Sequence, residues 1–462
     1  MRQFLKLKWG DDKKIIVSVI AVLLLMLAAF SCGCIDKEGT VLVIKDHEEK
    51  QREELHIHVG CGWSVNNDET KAVEEAVYSV KAELEDKTPD FAVLFSTVGY
   101  NPDKVLNEVK RLLPGVQIYG GTSCLAVQTR DGFHAGDNGS LALLAVATEA
   151  ITFGVGGVSI DDFTSAKEAG KAAIQAAIDA AGEKGARAPK LVLMTGSVGR
   201  EEELLAGIEE VIGKDVPVLG GSAGDNDITG KWRQFANERV YSNGISLTAI
   251  YTDLKVGWAY EAGYLRSENT GTVTRAEGRI IYEIDNQPAA EIYNDWTGGL
   301  VTEELKTGGS ILSVASYYPL ARIIRKDGKE YTLLIHPRSI NAIDHSLEVF
   351  ANIEEGTEVL LMHGDWELLL NQARTTPTKA LESESISKED VSFGIGTYCA
   401  GTMLAIPEEE RPKIPVLVKT AIGDAPFIGI FTFGEQGHIR GVGNLHGNLV
   451  NSMIVFSEET EG

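Results

Sequence analysis

Apolar positions along this chain follow two periods, and one arrangement of them occurs twice. Residues 91–95 form a short apolar run whose counterpart, one hundred residues on, is 191–195. Each run leads into a polar turn carrying Gly99 or Gly199. Val105, Leu106, Val109, Leu112 and Leu113 then fall three and four apart, as do Leu204, Leu205, Ile208 and Ile212, the spacing of one helix face. A second short strand follows and ends in Gly120-Gly121-Thr122-Ser123 or Gly220-Gly221-Ser222. Residues 89–122 align on 189–222 without a gap, so the pattern is an internal repeat of strand-helix-strand units. Each copy adds a strand behind an Asn-Gly pair, Asn138-Gly139 or Asn243-Gly244. Two such units predict paired glycine turns with a cleft between them, a natural place for a small molecule.

Around the repeat, residues 55–59 alternate as a first strand, 60–64 turn, and 69–84 carry Ala72, Val73, Ala76, Val80 and Leu84 on one helical face. Another helix is expected through 167–181. Beyond about residue 275 the pattern changes. A strand at 279–285 and a short helix at 289–296 precede strands at 320–325 and 331–337 joined by a Lys326-Asp327-Gly328-Lys329 hairpin turn, then strands at 347–351 and 357–362. A helix begins at 367–373, and the last strands are expected at 393–400, 416–421 and 427–434. The predicted class is α/β: an internally duplicated strand-helix-strand domain over 55–278 and a smaller, sheet-rich α+β domain over 279–455.

The beginning of the chain has another character. A cationic stretch precedes residues 15–30, which carry no charge, and then Ser31-Cys32-Gly33-Cys34. The apolar run is shorter than the ~20 residues of a spanning helix and matches a signal-peptide core. A cysteine behind small residues there reads as a lipidation site, Cys34 fitting better than Cys32. Residues 1–34 are thus expected to be a signal peptide with a lipobox-like end, and 35–54 a polar spacer. This places the protein at the extracytoplasmic face of the cell membrane, lipid-anchored; an uncleaved anchor or plain secretion are the alternatives.

The net charge of −24 over 462 residues argues against nucleic acid as a partner, because no basic stripe is available to displace counterions. Cys61, Cys124 and Cys399 are widely spaced, with neither a disulfide framework nor a zinc pattern. No cofactor and no metal are expected, since the nine histidines form no ligand cluster and phosphate-loop motifs are absent. Two motifs remain. Gly220-Gly221-Ser222-Ala223-Gly224 has the spacing of a nucleophile elbow but leads into loop residues where that motif needs a helix. Asp225-x-Asp227-x-Thr229-Gly230 opens like a calcium loop and then lacks the acidic twelfth residue, which is Ala236. The chemistry left is the pair of Gly-Gly-hydroxyl turns, whose amides and hydroxyls suit a carboxylate or similar anion.

His58-Val59-Gly60-Cys61-Gly62-Trp63-Ser64, Tyr100-Asn101-Pro102 and Gly120-Gly121-Thr122-Ser123 resemble the N-terminal half of the FIST sensory domain. Ile284-Asp285-Asn286-Gln287-Pro288, His336-Pro337-Arg338 and Gly434-Glu435 resemble its C-terminal half. The chain departs from the family pattern at Cys399-Ala400-Gly401-Thr402 and His446-Gly447-Asn448. The resemblance implies a non-enzymatic signal-input module for a small ligand, amino acids or other small carboxylates among them, that reports through a separate signal-transmitting protein. Carried over residue by residue, it marks Gly60, Ser64, Gly120, Gly121, Thr122, Ser123, Gly220, Gly221, Ser222, Arg338 and Glu435 as ligand-binding. Arg338 is the expected grip on a carboxylate. A serine hydrolase acting through Ser222, and a structural surface protein without a ligand, are the competing readings.

Overall fold

The computed structural model describes residues 56–85, 87–182 and 187–461. The expected signal peptide, Cys32, Cys34 and the expected polar spacer lie outside the described residues. The first repeat runs β1 (His58–Ser64), α1 (Glu69–Glu83), β2 (Phe91–Thr97), α2 (Pro102–Leu112), β3 (Gln117–Ser123), a hairpin of β4 (Val127–Thr129) and β5 (Gly132–His134), and β6 (Leu141–Ala147). The second repeats it as β7 (Ile151–Ser159), α3 (Ala166–Ala181), β8 (Leu191–Gly196), α4 (Glu201–Ile212), β9 (Val218–Ser222), the hairpin β10 (Gln234–Ala236) and β11 (Arg239–Tyr241), and β12 (Gly244–Thr252). Helix starts follow local chemistry. The Asp68 carboxylate accepts the Thr70 and Lys71 amides, Asn101 caps α2 ahead of Pro102, and Ser165 caps α3.

A third unit continues the series. Its first strand is β13 (Leu254–Glu261), after which the chain leaves the core to build an inserted sheet. That insert comprises β14 (Leu265–Glu277), β15 (Ile280–Ile284), β16 (Gln287–Pro288), α5 (Ala289–Trp296), α6 (Thr302–Thr307), β17 (Gly309–Ser310), α7 (Leu312–Ala315), β18 (Leu320–Lys326), β19 (Lys329–Ile335), β20 (Pro337–Ile340), β21 (Leu347–Val349) and β22 (Glu358–His363). The third unit then resumes with α8 (Trp366–Ser383), β23 (Val391–Cys399), α9 (Ala400–Ala405), α10 (Lys413–Ile422), β24 (Phe427–Thr432), the hairpin β25 (Glu435–Ile439) and β26 (Gly443–Gly447), and β27 (Asn451–Thr460).

The three core sheets share one topology. Each joins an antiparallel trio (β1-β6-β2, β7-β12-β8, β13-β27-β23) to a parallel neighbour (β3, β9, β24). The free edge of that neighbour is taken by a hairpin from another unit: β10-β11 lies on β3, β25-β26 on β9, and β4-β5 on β24. The exchange runs in a circle through all three units. Three backbone hydrogen bonds close the same circle, from Gly224 to Thr122 (2.8 Å), from Phe433 to Ser222 (3.0 Å) and from Cys124 to Phe431 (2.9 Å).

The inner faces of the three sheets meet in one apolar core, where Phe91 stacks on Phe153 at 4.3 Å and Phe393 on Phe456 at 4.2 Å. Separate clusters pack the outer faces against α1 and α2, α3 and α4, and α8 to α10. Strands β2, β6 and β12 are buried along their whole length, which explains their unbroken apolar runs.

The mixed, sheet-rich α/β class and both halves expected from the sequence are present. They are interwoven, however: residues 55–462 form one compact unit, with segments 55–278 and 279–455 sharing three sheets. The strand expected at 416–421 is the helix α10; the short apolar run 414–418 fits either state, and here the helix packs its buried side, Ile414, Val418 and Ile422, into the core. Among the described residues no helix is long and apolar enough to cross a membrane.

The glycine pairs are explained by close approach of parallel strands. A Cβ on Gly120 would lie 1.8 Å from the Leu94 carbonyl oxygen, and one on Gly220 1.9 Å from that of Met194. Backbone cannot yield as a flexible side chain does. Gly220→Ala is expected to destabilise the fold by about 2–4 kcal/mol, read as a lower urea midpoint, whereas Gly213→Ala, beside open space, should cost less.

Candidate functional site

The cleft expected between glycine turns does not form, because those turns are consumed in holding the sheets together. Gly60 packs under α1, where a Cβ would meet Val80 O at 2.3 Å, and Ser64 binds the Glu75 carboxylate. Gly121 abuts the Thr195 methyl, and Gly221 abuts Thr432. The Thr122 hydroxyl donates to Gly224 O and accepts the Arg233 amide, both at 2.8 Å. Ser123 Oγ accepts the Phe431 amide at 2.9 Å. Each of these hydroxyls is spent on the protein itself.

Ser222 is fully buried and donates to Glu201 Oε1 at 2.9 Å; the amide of Gln436 reaches it at 3.3 Å. The residues after it form a loop, so the serine is not presented on a strand-to-helix elbow, and no histidine ring bonds to it. Asp225 explains the calcium-like sequence differently. Its carboxylate accepts amides of Asp227, Ile228, Thr229 and Lys231, a turn capped by its own side chain, and among the described residues no group of three or more metal-ligating side chains gathers.

A real cavity opens elsewhere, at the carboxyl ends of β8, β23 and β24, where the insert lies against the core. Its volume is about 430 Å³. The insert supplies Leu312, Ser313, Ser316, Tyr317, His336 and Phe350. The core supplies Val198, Ile228, Cys399, Gly401, Leu404, Ala405, Thr432, Phe433, Gly434 and Asn448. Hydrogen bonds dock the two sides beside it: the His336 amide donates to Asn448 Oδ1 at 3.2 Å, and the Arg322 guanidinium to His446 O at 3.0 Å. Further out, Arg279 of the insert pairs with Glu201 at 2.7 Å and Glu202 at 2.9 Å.

None of the expected site residues is in the lining; Ser222 and Glu435 lie behind it, each hydrogen-bonded to lining residues. The Glu435 carboxyl is fully buried behind the wall and shares a 2.8 Å hydrogen bond with Thr432, with the amides of Gly434 and Val450 at 3.2 and 3.3 Å. Arg338 is not in the lining. It is half exposed, pairs with Glu348 at 2.9 Å and sits 5.7 Å from the Phe350 ring. Of the lining residues, His336 and Gly434 belong to segments that carry the family resemblance, whereas Cys399 and Asn448 lie where the chain departs from the family pattern. The glycine repeat pointed away from the pocket.

Burial dominates the electrostatics. It lowers His336 to about 4, pushes the Cys399 thiol well above its ordinary range with Glu435 adding to the effect, and raises Glu435 to about 8. All three are therefore uncharged near neutrality. For Glu435 the linkage has a definite sign. The folded protein retains a proton that the unfolded chain releases above its ordinary 4.5, so this group's contribution to stability falls as pH rises from about 4.5 to about 8. Glu435→Gln is expected to flatten the profile: between about pH 5 and about pH 8 the variant should lose less stability than the parent in urea unfolding. Equal slopes would show that Glu435 does not titrate in that window.

Comparison with known proteins places these features in a family. An uncharacterised protein of Methanocaldococcus jannaschii is 25% identical over 201 residues, 42% of this chain and 36% of that protein. Among solved structures, cyanuric acid hydrolase is similar at a TM-score of 0.35 and 10% identity, covering 87% of this chain and 99% of the other. PurL of Thermotoga maritima complexed with ATP is similar at 0.20 and 9%, covering 88% and 72%. Similarities this low carry no argument about fold or activity. Residues 90–287 match the FIST N domain and residues 289–438 the FIST C domain, so the chain belongs to the FIST family of sensory, signal-transduction domains, which bind small ligands.

Proposed function

We propose that this is an extracytoplasmic, non-enzymatic sensory protein that takes a small ligand into the cavity between insert and core. The observation that carries the reading is the cavity's construction: the insert and the core of a FIST chain each supply one wall. A ligand there touches both, so its binding energy is available to alter how the insert sits on the core. The boundary is crossed by the His336–Asn448 and Arg322–His446 hydrogen bonds, the Arg279 ion pairs and a shared apolar cluster that joins Tyr264, Leu334 and Met362 of the insert to Leu369, Leu449 and Met453 of the core. The signal then passes to a separate transmitting protein, for which the insert offers the surface that changes.

The extracytoplasmic location rests on the cationic start, the uncharged run at 15–30 and Cys34, read as a lipid anchor. Amino acids and other small carboxylates are the ligands the family resemblance suggests. With Arg338 and the glycine turns outside the cavity, that suggestion has lost the residues that motivated it here.

Two experiments test the proposal. Thermal unfolding of the full-length chain against amino acids, organic acids, sugars and neutral organic molecules should show a saturable shift; a ligand at 100 times its Kd stabilises by about 2.7 kcal/mol. Leu404→Trp, at the exposed rim of the mouth, should abolish that shift, and a shift indifferent to it would sink the site assignment. In cells, Cys34→Ala should eliminate incorporation of radiolabelled palmitate and release the protein from membranes; unchanged labelling would remove Cys34 as the anchor.

A further inference from the structure

We propose that the ligand is an uncharged, mainly apolar molecule carrying a hydrogen-bond acceptor, and not a carboxylate or a free amino acid. The proposal rests on the reading of the cavity as the ligand site and specifies what that site selects. Among the described residues, no Lys, Arg, Asp or Glu side chain lines the cavity. Most of the wall is hydrocarbon or aromatic, with Leu312, Tyr317 and Phe350 from the insert and Phe433 and Leu404 from the core. Its volume falls within the range of small-molecule sites.

Several polar side chains in the wall are committed to the protein. Ser316 Oγ donates to Leu312 O at 2.8 Å, and Thr432 and Glu435 share their 2.8 Å hydrogen bond. Asn448 accepts the His336 amide through Oδ1, so its NH2 is the group it can offer to a ligand, and an NH2 calls for an acceptor. Of the ionisable neighbours, His336 and Cys399 are buried and uncharged at neutral pH, and so is Glu435 behind them.

A carboxylate entering here would surrender its hydration and meet no cation, because Arg338 is held by Glu348 and does not reach the lining. An ammonium would meet no anion, since Glu435 lies behind the wall and carries its proton. The rim agrees with the interior. Ile228 and Leu404, 43% and 46% exposed, put apolar surface at the entrance, and Ile228 is held at a φ of +54°, a conformation that is strained for a β-branched residue. The Asp225 carboxylate holds that turn by accepting the Ile228 amide. An exposed apolar side chain kept in strain at a cavity mouth fits a gate for apolar molecules.

Matched probes of equal size and different charge test this on the full-length chain: benzamide against benzoate, and cyclohexanone against cyclohexylammonium, with L-phenylalanine as the free amino acid. Affinities come from thermal shifts and from calorimetric titration. The neutral member of each pair is expected to bind at least tenfold more tightly than its charged counterpart. Leu404→Trp should remove that binding, and Ser313→Trp, a second exposed rim position, provides the same block where the first variant folds poorly. If benzoate or phenylalanine binds as tightly as benzamide and the rim variants abolish it, the uncharged class is wrong while the cavity remains the ligand site. If no probe binds, or binding survives both rim variants, the cavity reading falls and this proposal with it.

Discussion

The structure depends on a closed circle of three backbone hydrogen bonds where the parallel strands of the three repeats end. Gly224 bonds to Thr122, Phe433 to Ser222 and Cys124 to Phe431, so each repeat donates to one neighbour and accepts from the other. A circle of this kind cannot be two-thirds made: removing one unit leaves an unpaired amide and an unpaired carbonyl in a buried place, which is costly. The exchanged hairpins repeat the constraint at the level of strands, because each parallel strand would otherwise present an open edge beside the core. The glycines of the two legible repeats follow from the same geometry, as the neighbouring strand passes too close for any Cβ.

This arrangement explains why the Gly120-Gly121 and Gly220-Gly221 turns form no cleft and lie outside the cavity lining. Their amides and hydroxyls have the chemistry for an anion, and the circle uses that chemistry internally. The ligand-sized space lies one layer out, where the insert between β13 and α8 folds back over the strand ends of the second and third units. The core thus serves as a rigid base and the insert as the second wall. The insert is joined to the core by a shared apolar cluster and by polar ties such as Arg279 on Glu201 and Glu202, and a ligand in the cavity would touch both sides of that junction.

Much of the fold was legible because local physics settles it. The repeat at 89–122 and 189–222, the capped helices, the Asp327-Gly328 hairpin and the buried strands all follow from spacing and turn chemistry within a few residues. The third unit was not legible, for two reasons. Its first strand and first helix are separated by the insert, and its strand β24 carries Gly429-Ile430 where the other copies have Gly-Gly, so the repeat signature is gone although the topology persists. The site was less legible still. Cys399, His336, Gly434 and Asn448 are far apart in sequence and become neighbours only when β23, β24 and the insert assemble. No periodicity encodes that meeting.

Arg338 shows what local reasoning misses. A guanidinium in a recognised motif is a sound candidate for gripping a carboxylate, and the chain does give it a carboxylate, Glu348 of its own sheet. Glu435 shows the converse. A buried acid looks like a charge until its surroundings are counted; with no cation beside it and Thr432, Gly434 and Val450 around it, burial makes the protonated form the stable one. These two residues together reverse the electrostatic character expected of the site, since the cation is neutralised outside it and the acid is neutral behind it. What is left facing the cavity is apolar surface with isolated polar atoms, and selectivity there must come from shape and from a charged ligand's reluctance to leave water.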